Sequence, residues 1–415
     1  MKLTIAILLL ILALTASLNA GTINGKPMMY ADSYMLRAFG AEANYWNPAL
    51  LSVDRQDFWM PVLNLGFYLA NNSLDLEIYN HIMAKGTITE ADKVKLLDMI
   101  DGKVALDLGA QFTNFGFTMG NIALSSTTHL NAKAAFDEAY LRLLLYGNEE
   151  EHYEFTKENN NFSALSYVDL TLGMGDITLP LPKSIPEIKA GWAASLLFGI
   201  ESMTTQDYLG SFTSNLDGFS FQQDILFKAG GGGAGFKGML GLVSEPVRNL
   251  TTGLTVDNVL GFIKWGIVSE NLSYRLEADS LYVADLNEDF YVNEFNREKA
   301  DYFSTPLAPE LRLAALYRLP QVSLSADYVQ GLGSSIVTSS TGRLSLGAEL
   351  LPIPALPLHC GISFGNANYP WRVSYGFGLK VKPFEFGLGV QSFESILPGQ
   401  NSKGISLATY FMLRM

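Results

Sequence analysis

From Val104 to Phe112 every second residue is apolar (Val104, Leu106, Leu108, Ala110, Phe112), with Lys103, Asp107, Gly109, Gln111 and Thr113 interleaved. Successive side chains of a strand point to opposite faces, so this pattern predicts a strand with one oily and one wet face. The pattern returns from Phe162 through Val168, Leu170, Leu172 and Met174, and again at Ile188, Ala190, Trp192, Ala194, Leu196, Phe198 and Ile200. The C-terminal third is nearly continuous alternation, with apolar sets that begin at Leu311, Val322, Leu344, Leu358, Val373 and Phe384. A last set, Ile405, Leu407, Thr409, Phe411, Leu413 and Met415, runs to the final residue, which suits a strand that closes a barrel. The opposite faces carry Arg312, Arg318, Asp327, Arg343, Glu349, Arg372, Lys380, Lys382 and Glu385 among glycines and serines.

Run length separates two all-β folds. Strands of a soluble sandwich are about 5 to 6 residues long, whereas a tilted membrane strand needs about 9 to 11. The runs here favour the longer class, and counting them predicts a closed antiparallel transmembrane β-barrel of about 14 strands. A soluble secreted β-protein is the competing architecture. Two helices interrupt the pattern. Thr89 with Glu90, Ala91 and Asp92 resembles a capping box and predicts a helix over Glu90 to Ile100, and Ala132 to Tyr146 has helical spacing. Glu149 to Asn161 and Asp285 to Thr305 read as solvated loops.

The N-terminus has a different pattern. Lys2, the apolar run from Leu3 to Leu14 and the small residues up to Ala20 form a secretory signal. The run is too short for the roughly 20 residues of a membrane helix, so cleavage after Ala20 is expected. Residues 1–20 are therefore assigned to the signal, 21–56 to an N-terminal segment, and 57–415 to the barrel, with the first strand starting near Asp57. A bacterial outer-membrane location follows from an exported barrel. No later apolar stretch could span a bilayer as a helix, which leaves a closed barrel as the membrane-compatible fold.

Composition removes other classes. The single cysteine, Cys360, permits no intramolecular disulfide, so backbone pairing and packing must hold the chain together. Apolar residues at 48% against 17% charged exclude a disordered chain. A net charge of −13 with no basic stripe argues against a nucleic-acid partner. Glycine at 38 residues and aromatics at 12% fit many close-packed strands with aromatic girdles.

Two nominal catalytic motifs lack the context that their chemistry needs. Gly361-Ile362-Ser363-Phe364-Gly365 matches a nucleophile elbow, but Ser363 lies inside an alternating strand with no helix after it. The run Gly230 to Gly235 matches a dinucleotide-binding pattern, yet Gly241 and Pro246 interrupt any following helix. It reads as a loop or bulge where backbone passes close to backbone. His81, His129, His152 and His359 are far apart and suggest no metal site. No enzyme, cofactor or metal is expected.

The segment with most functional content is Ala31 to Leu50. Asn47 precedes Pro48, which pushes it out of the helical region and lets its side chain close a turn. A glycine-alanine stretch followed by Tyr45-Trp46-Asn47-Pro48-Ala49, soon after a signal peptide and before a long β-rich remainder, resembles the FadL family of outer-membrane transporters and the related PorV-type barrels. The C-terminal half looks closer to a set of bacterial surface barrels in this superfamily than to proven fatty-acid transporters. The resemblance implies an N-terminal hatch folded into the barrel, with Asn47, Pro48 and Ala49 at its core.

Tyr45, Trp46, Asn47, Pro48, Ala49 and Leu50 are accordingly the hatch and lumen candidates. The expected role is passive transport or binding of a small, hydrophobic solute, with outer-membrane lipid around the barrel. The alternative is a PorV-like scaffold or shuttle with a secreted protein partner. A solute role predicts an enclosed apolar cavity beside Asn47. A shuttle predicts an open, polar-rimmed extracellular mouth.

Overall fold

The computed structural model describes residues 25–51, 59–61, 63–85, 88–147, 152–215, 218–281, 291–366 and 368–414. The signal peptide, the expected strand start at Asp57 and the final Met415 lie outside the described residues. One antiparallel sheet takes up most of the chain. It closes on itself where Gly404–Arg414 pairs with both Asn64–Asn71 and Trp59–Pro61.

Eighteen hydrogen-bonded segments merge into fourteen barrel strands. Trp59–Pro61 and Asn64–Asn71 share one neighbour and form β1. Lys103–Met119 is β2 and Ile122–Asp137 is β3. His152–Thr156 and Asn161–Thr178 both pair with Ile188–Asn215, so the first two make β4 and the third is β5. Gly218–Val247 is β6 and Leu250–Leu281 is β7. Three pieces, Tyr291–Lys299, Phe303–Pro306 and Glu310–Arg318, pair in turn along β7 and form β8. The remaining strands are short: Val322–Gly331 (β9), Arg343–Ile353 (β10), Leu356–Phe364 (β11), Trp371–Val381 (β12), Phe384–Phe393 (β13) and Gly404–Arg414 (β14).

The alternation sorts faces as expected. Leu344, Leu346 and Leu350 on β10 are 43%, 42% and 43% exposed, whereas Ser345 between them is fully buried. Outward-facing, exposed apolar residues recur around the barrel, including Phe67, Leu172, Leu196, Leu240, Leu313, Leu324, Leu358 and Leu388. Soluble proteins rarely expose contiguous apolar patches above a few hundred Å², and a belt around a closed sheet meets lipid instead. Closure and this belt overturn the soluble sandwich.

The structure corrects several boundaries. Tyr291–Lys299 and Phe303–Pro306 are strands, although Asp285 to Thr305 reads as a loop. Strands β5, β6 and β7 hold 28, 30 and 32 residues, far more than a membrane crossing uses, so their ends and the start of β8 project beyond the barrel rim. Water meets both sides of such a sheet. Val292 to Lys299 are all exposed, and no apolar face forces alternation. Similarly, the acidic stretch after Glu149 contains the strand His152–Thr156, whose Tyr153 and Phe155 are buried against the helix Glu138–Tyr146 (α1).

That helix starts later than its spacing suggests, because Ala132 to Asp137 continue β3 and pair with β2. Asp137 caps it by accepting from the Ala139 N–H at 2.9 Å. The capping box at Thr89 is present and opens the helix Glu90–Asp98, two residues shorter at its C-terminus than expected. Another helix, Leu76–Lys85, was not anticipated. Gly230 to Gly235 lie within β6, with a register shift between Gly231 and Gly233, as a bulge requires. A Cβ on Gly230 or Gly233 would meet the Trp265 ring, which is fully buried inside the barrel.

The face assignment yields a test. Leu346→Arg should reduce the stability of the barrel in liposomes by about 2 to 4 kcal/mol if the position lies near the bilayer midplane, while Leu346→Phe should be nearly neutral. Urea titration of the folded fraction by heat-modifiable gel mobility measures both. Equal behaviour of the two variants would contradict a lipid-facing Leu346.

Candidate functional site in the barrel lumen

Residues 25–51 lie inside the barrel and contain no exposed residue. They fold as a chain of single turns: Gly25–Met29, Met35–Arg37, Gly40–Glu42, Ala43–Trp46 and Pro48–Leu50. Pro48 explains the break after Trp46. It holds Asn47 in an extended conformation (φ −160°, ψ 101°), and the Asn47 Oδ1 accepts the Ala49 N–H at 3.0 Å to start the next turn. The same amide donates from Nδ2 to the Leu242 carbonyl on β6 at 3.0 Å, so one side chain closes the turn and ties it to the wall.

The wall is cut away to receive this segment. A Cβ at Gly241 would lie 2.1 Å from Asn47 Oδ1, at Gly191 2.4 Å from the Ala49 nitrogen, and at Gly175 2.0 Å from the Pro48 carbonyl oxygen. On the far side, a Cβ at Gly361 would lie 2.3 Å from the Tyr30 carbonyl carbon. These glycines stand at wet-face positions where any side chain would occupy the space of the segment's backbone.

Charge and hydrogen bonds hold the segment from nearly all sides. Lys26 pairs with Glu385 on β13, and Asp32 pairs with Arg372 on β12, with Arg343 on β10 at 3.7 Å from the same carboxylate. Asp327 on β9 accepts the Met35 N–H at 3.0 Å and the Ser33 hydroxyl at 3.1 Å. Arg37 donates to Ser323 Oγ at 2.6 Å and lies 3.5 Å from Glu349. Opposite these, the Tyr45 hydroxyl donates to Asp169 on β4 at 2.7 Å, and Asn44 donates to Ser125 on β3 at 2.9 Å. The other Asp169 oxygen lies 2.7 Å from His129 Nε2.

Two cavities flank the segment. The larger, about 720 Å³, opens toward the end of the barrel with the tight turns and is lined by Leu36, Phe39 and Leu50 together with Arg37, Glu349 and Lys380. The smaller, about 150 Å³, lies toward the end with the longer connections, under Val337 and Ser339. Among the six candidate residues, Tyr45 lines the smaller cavity, and Ala49 and Leu50 line the larger. Trp46, Asn47 and Pro48 line neither. Trp46 is buried edge-on against Tyr34 with Arg312 over its ring at 4.4 Å, and Asn47 fills the pocket left by Gly241. The expected apolar cavity beside Asn47 is replaced by close packing.

Sequence reasoning missed Asp327, Arg343 and Arg372 as partners of the segment, and Asp32 as the segment residue that two of them hold. Their signal was present in the charges that occupy the wet face, which a water-filled lumen also explains. The motif serine has no catalytic surroundings: Ser363 is buried mid-strand and accepts the Ser345 hydroxyl at 3.0 Å. Among the described residues, no group of three His, Cys, Asp or Glu side chains could hold a metal ion.

No protein-family model matches the chain, and no curated protein matches it. Solved structures similar to it include the toluene transporter TbuX of Ralstonia pickettii, at 10% identity over 91% of this chain and 94% of that one, with a TM-score of 0.49. A FadL homologue of Pseudomonas aeruginosa is 11% identical over 96% and 98% of the two chains, with a TM-score of 0.49. The monoaromatic hydrocarbon channel CymD gives the same identity, coverage and score.

The glycine contacts give a direct test of how the segment is seated. Gly191→Val should expel the turn at Pro48 and Ala49 at a cost of about 1 to 3 kcal/mol, as overpacking does, while the barrel stays closed. Limited proteolysis should then cut within residues 25–51, whereas heat-modifiable mobility is retained. Full protease resistance of the segment in this variant would contradict the close approach.

Proposed function

We propose that the chain is a passive channel of the bacterial outer membrane in which residues 25–51 act as a hatch for a small, at least partly hydrophobic solute. The observation that carries this reading is an obstructing segment that belongs to no strand and divides the lumen into two cavities. The sheet closes without it, through β1 and β14, so its removal leaves no strand edge unpaired. A segment that adds nothing to the hydrogen-bonding of the sheet and fills the lumen is suited to controlling passage.

The polar contacts of the hatch permit it to move. Its polar attachments are ion pairs and hydrogen bonds, which water or solute can replace when the segment shifts, while Met35, Trp46 and Leu51 pack in an apolar cluster with wall residues such as Val243, Leu316 and Met412. Leu36, Phe39 and Leu50 supply apolar surface in the larger cavity, weak enough to release a solute. Passage then follows a shift of population between closed and open arrangements and needs no chemical step.

Deletion of residues 22–51 should leave a folded barrel and raise its conductance to small ions in planar bilayers. A barrel of fourteen strands is wider than the side-chain-filled eight-stranded class, so the emptied lumen should conduct. Asn47→Ala removes both the turn closure and the bond to Leu242 and should give intermittent openings. Conductance equal to that of the intact protein in both variants would end the hatch reading.

A further inference from the structure

The smaller cavity has a wall that its function as a gap does not explain. It carries three cations, Lys237, Arg312 and Arg343, and two carboxylates, Asp257 and Glu310. Both carboxylates are already engaged, Asp257 by Lys237 at 3.3 Å and Glu310 by Arg312 at 2.9 Å. Arg343 is left with a 3.7 Å approach to Asp32, whose close partner is Arg372. Nearby Asp169 and Asp327 accept hydrogen bonds from Tyr45, Met35 and Ser33.

Two guanidinium donors lack acceptors. Arg343 Nε and Arg312 Nη1 are buried and have no hydrogen-bond partner among the described residues. An unmatched buried donor is costly, and more so when it is charged, so two of them close to one cavity mark a place where an acceptor would be favoured. The register brings these residues to one level. Arg312 stands opposite Val329, and Val329 stands opposite Arg343, so the two arginines are two strand spacings apart, roughly 10 Å between Cα atoms. Side chains of that length can converge on one small group above Val329.

We propose that this cavity binds a compact oxyanion, a single carboxylate or phosphate group, between Arg312 and Arg343, and that the anion competes with Asp32 for Arg343. The guanidinium fork matches both oxyanions bidentately, which an ammonium or a neutral group cannot do. A volume of about 150 Å³, the share of roughly five waters, suits a group of a few heavy atoms. Since Asp32 belongs to the N-terminal segment, the internal carboxylate and the external anion oppose each other through one arginine, and by linkage each weakens the hold of the other.

The site is tested by binding alone, on full-length protein in detergent, so its failure is distinct from any failure in conductance. Inorganic phosphate and acetate are titrated separately by calorimetry, with acetamide as the neutral control. At least one anion should saturate a single site per chain, and acetamide should not; the tighter anion identifies the group. Arg343→Gln should weaken binding at least tenfold, and Asp32→Asn should tighten it several-fold by removing the internal competitor. Heat-modifiable mobility checks the fold of each variant. Should Arg343→Gln not fold, Arg343→Lys keeps the charge without the fork and should still weaken binding. Absence of saturation by both anions, or an affinity unchanged by loss of the Arg343 fork, overturns the site, and an affinity unchanged by Asp32→Asn overturns the competition.

Discussion

The structure depends on one constraint: at membrane depth no water is available to backbone N–H and C=O groups, so every strand must have two neighbours. The chain meets it by pairing β14 with β1, residues more than three hundred positions apart in sequence. Closure fixes the rest of the architecture. Each strand acquires an outside that meets lipid and an inside that does not, which is why Leu344, Leu346 and Leu350 face outward while Ser345 faces in. It also creates a lumen that must be filled with water or with protein.

This chain fills the middle of that lumen with protein, and the choice shapes the inner wall. A segment of single turns offers many backbone groups and few regular faces, so it cannot pack as a helix would, ridge into groove. Instead, the wall gives way at glycines, and the segment's polar groups find partners strand by strand. Asn47 illustrates the economy of this arrangement. Its side-chain Oδ1 accepts the Ala49 N–H to start the turn, its Nδ2 donates to the Leu242 carbonyl, and Gly241 leaves the room for both.

The barrel was legible in the sequence because lipid on one side and a polar lumen on the other impose a period of two on each strand. Where that pressure lapses, legibility lapses with it. Tyr291–Lys299 projects past the rim, has water on both sides, and reads as a loop. Ala132 to Asp137 reads as helix because its apolar and polar residues do not alternate cleanly ahead of α1, although they pair with β2. In the lumen, the turn at Asn47 was legible from Asn-Pro, whose effect is local. The partners of the segment were not. An arginine at Arg343 or Arg372, or a glycine at Gly191, is consistent with any wet face, and only the fold brings Asp32 and Ala49 against them.

How the segment is held bears on how it could move. Packing between apolar surfaces is non-directional and is lost gradually as they separate, whereas a buried ion pair trades one well-defined partner for another. Asp32 between Arg343 and Arg372 is a contact of the second kind, with two cations sharing one carboxylate and one of them poorly served. Removing a partner outright would strand a charge in a desolvated site at a cost of about 3 to 5 kcal/mol, so spontaneous release is rare. Replacing the partner by water or by another anion costs far less, because the charge is never left alone. On the proposed hatch reading, a segment whose charged contacts are fastened in this way stays shut in the absence of a competitor and yields to one, so that opening depends on what enters the lumen rather than on the overall stability of the barrel.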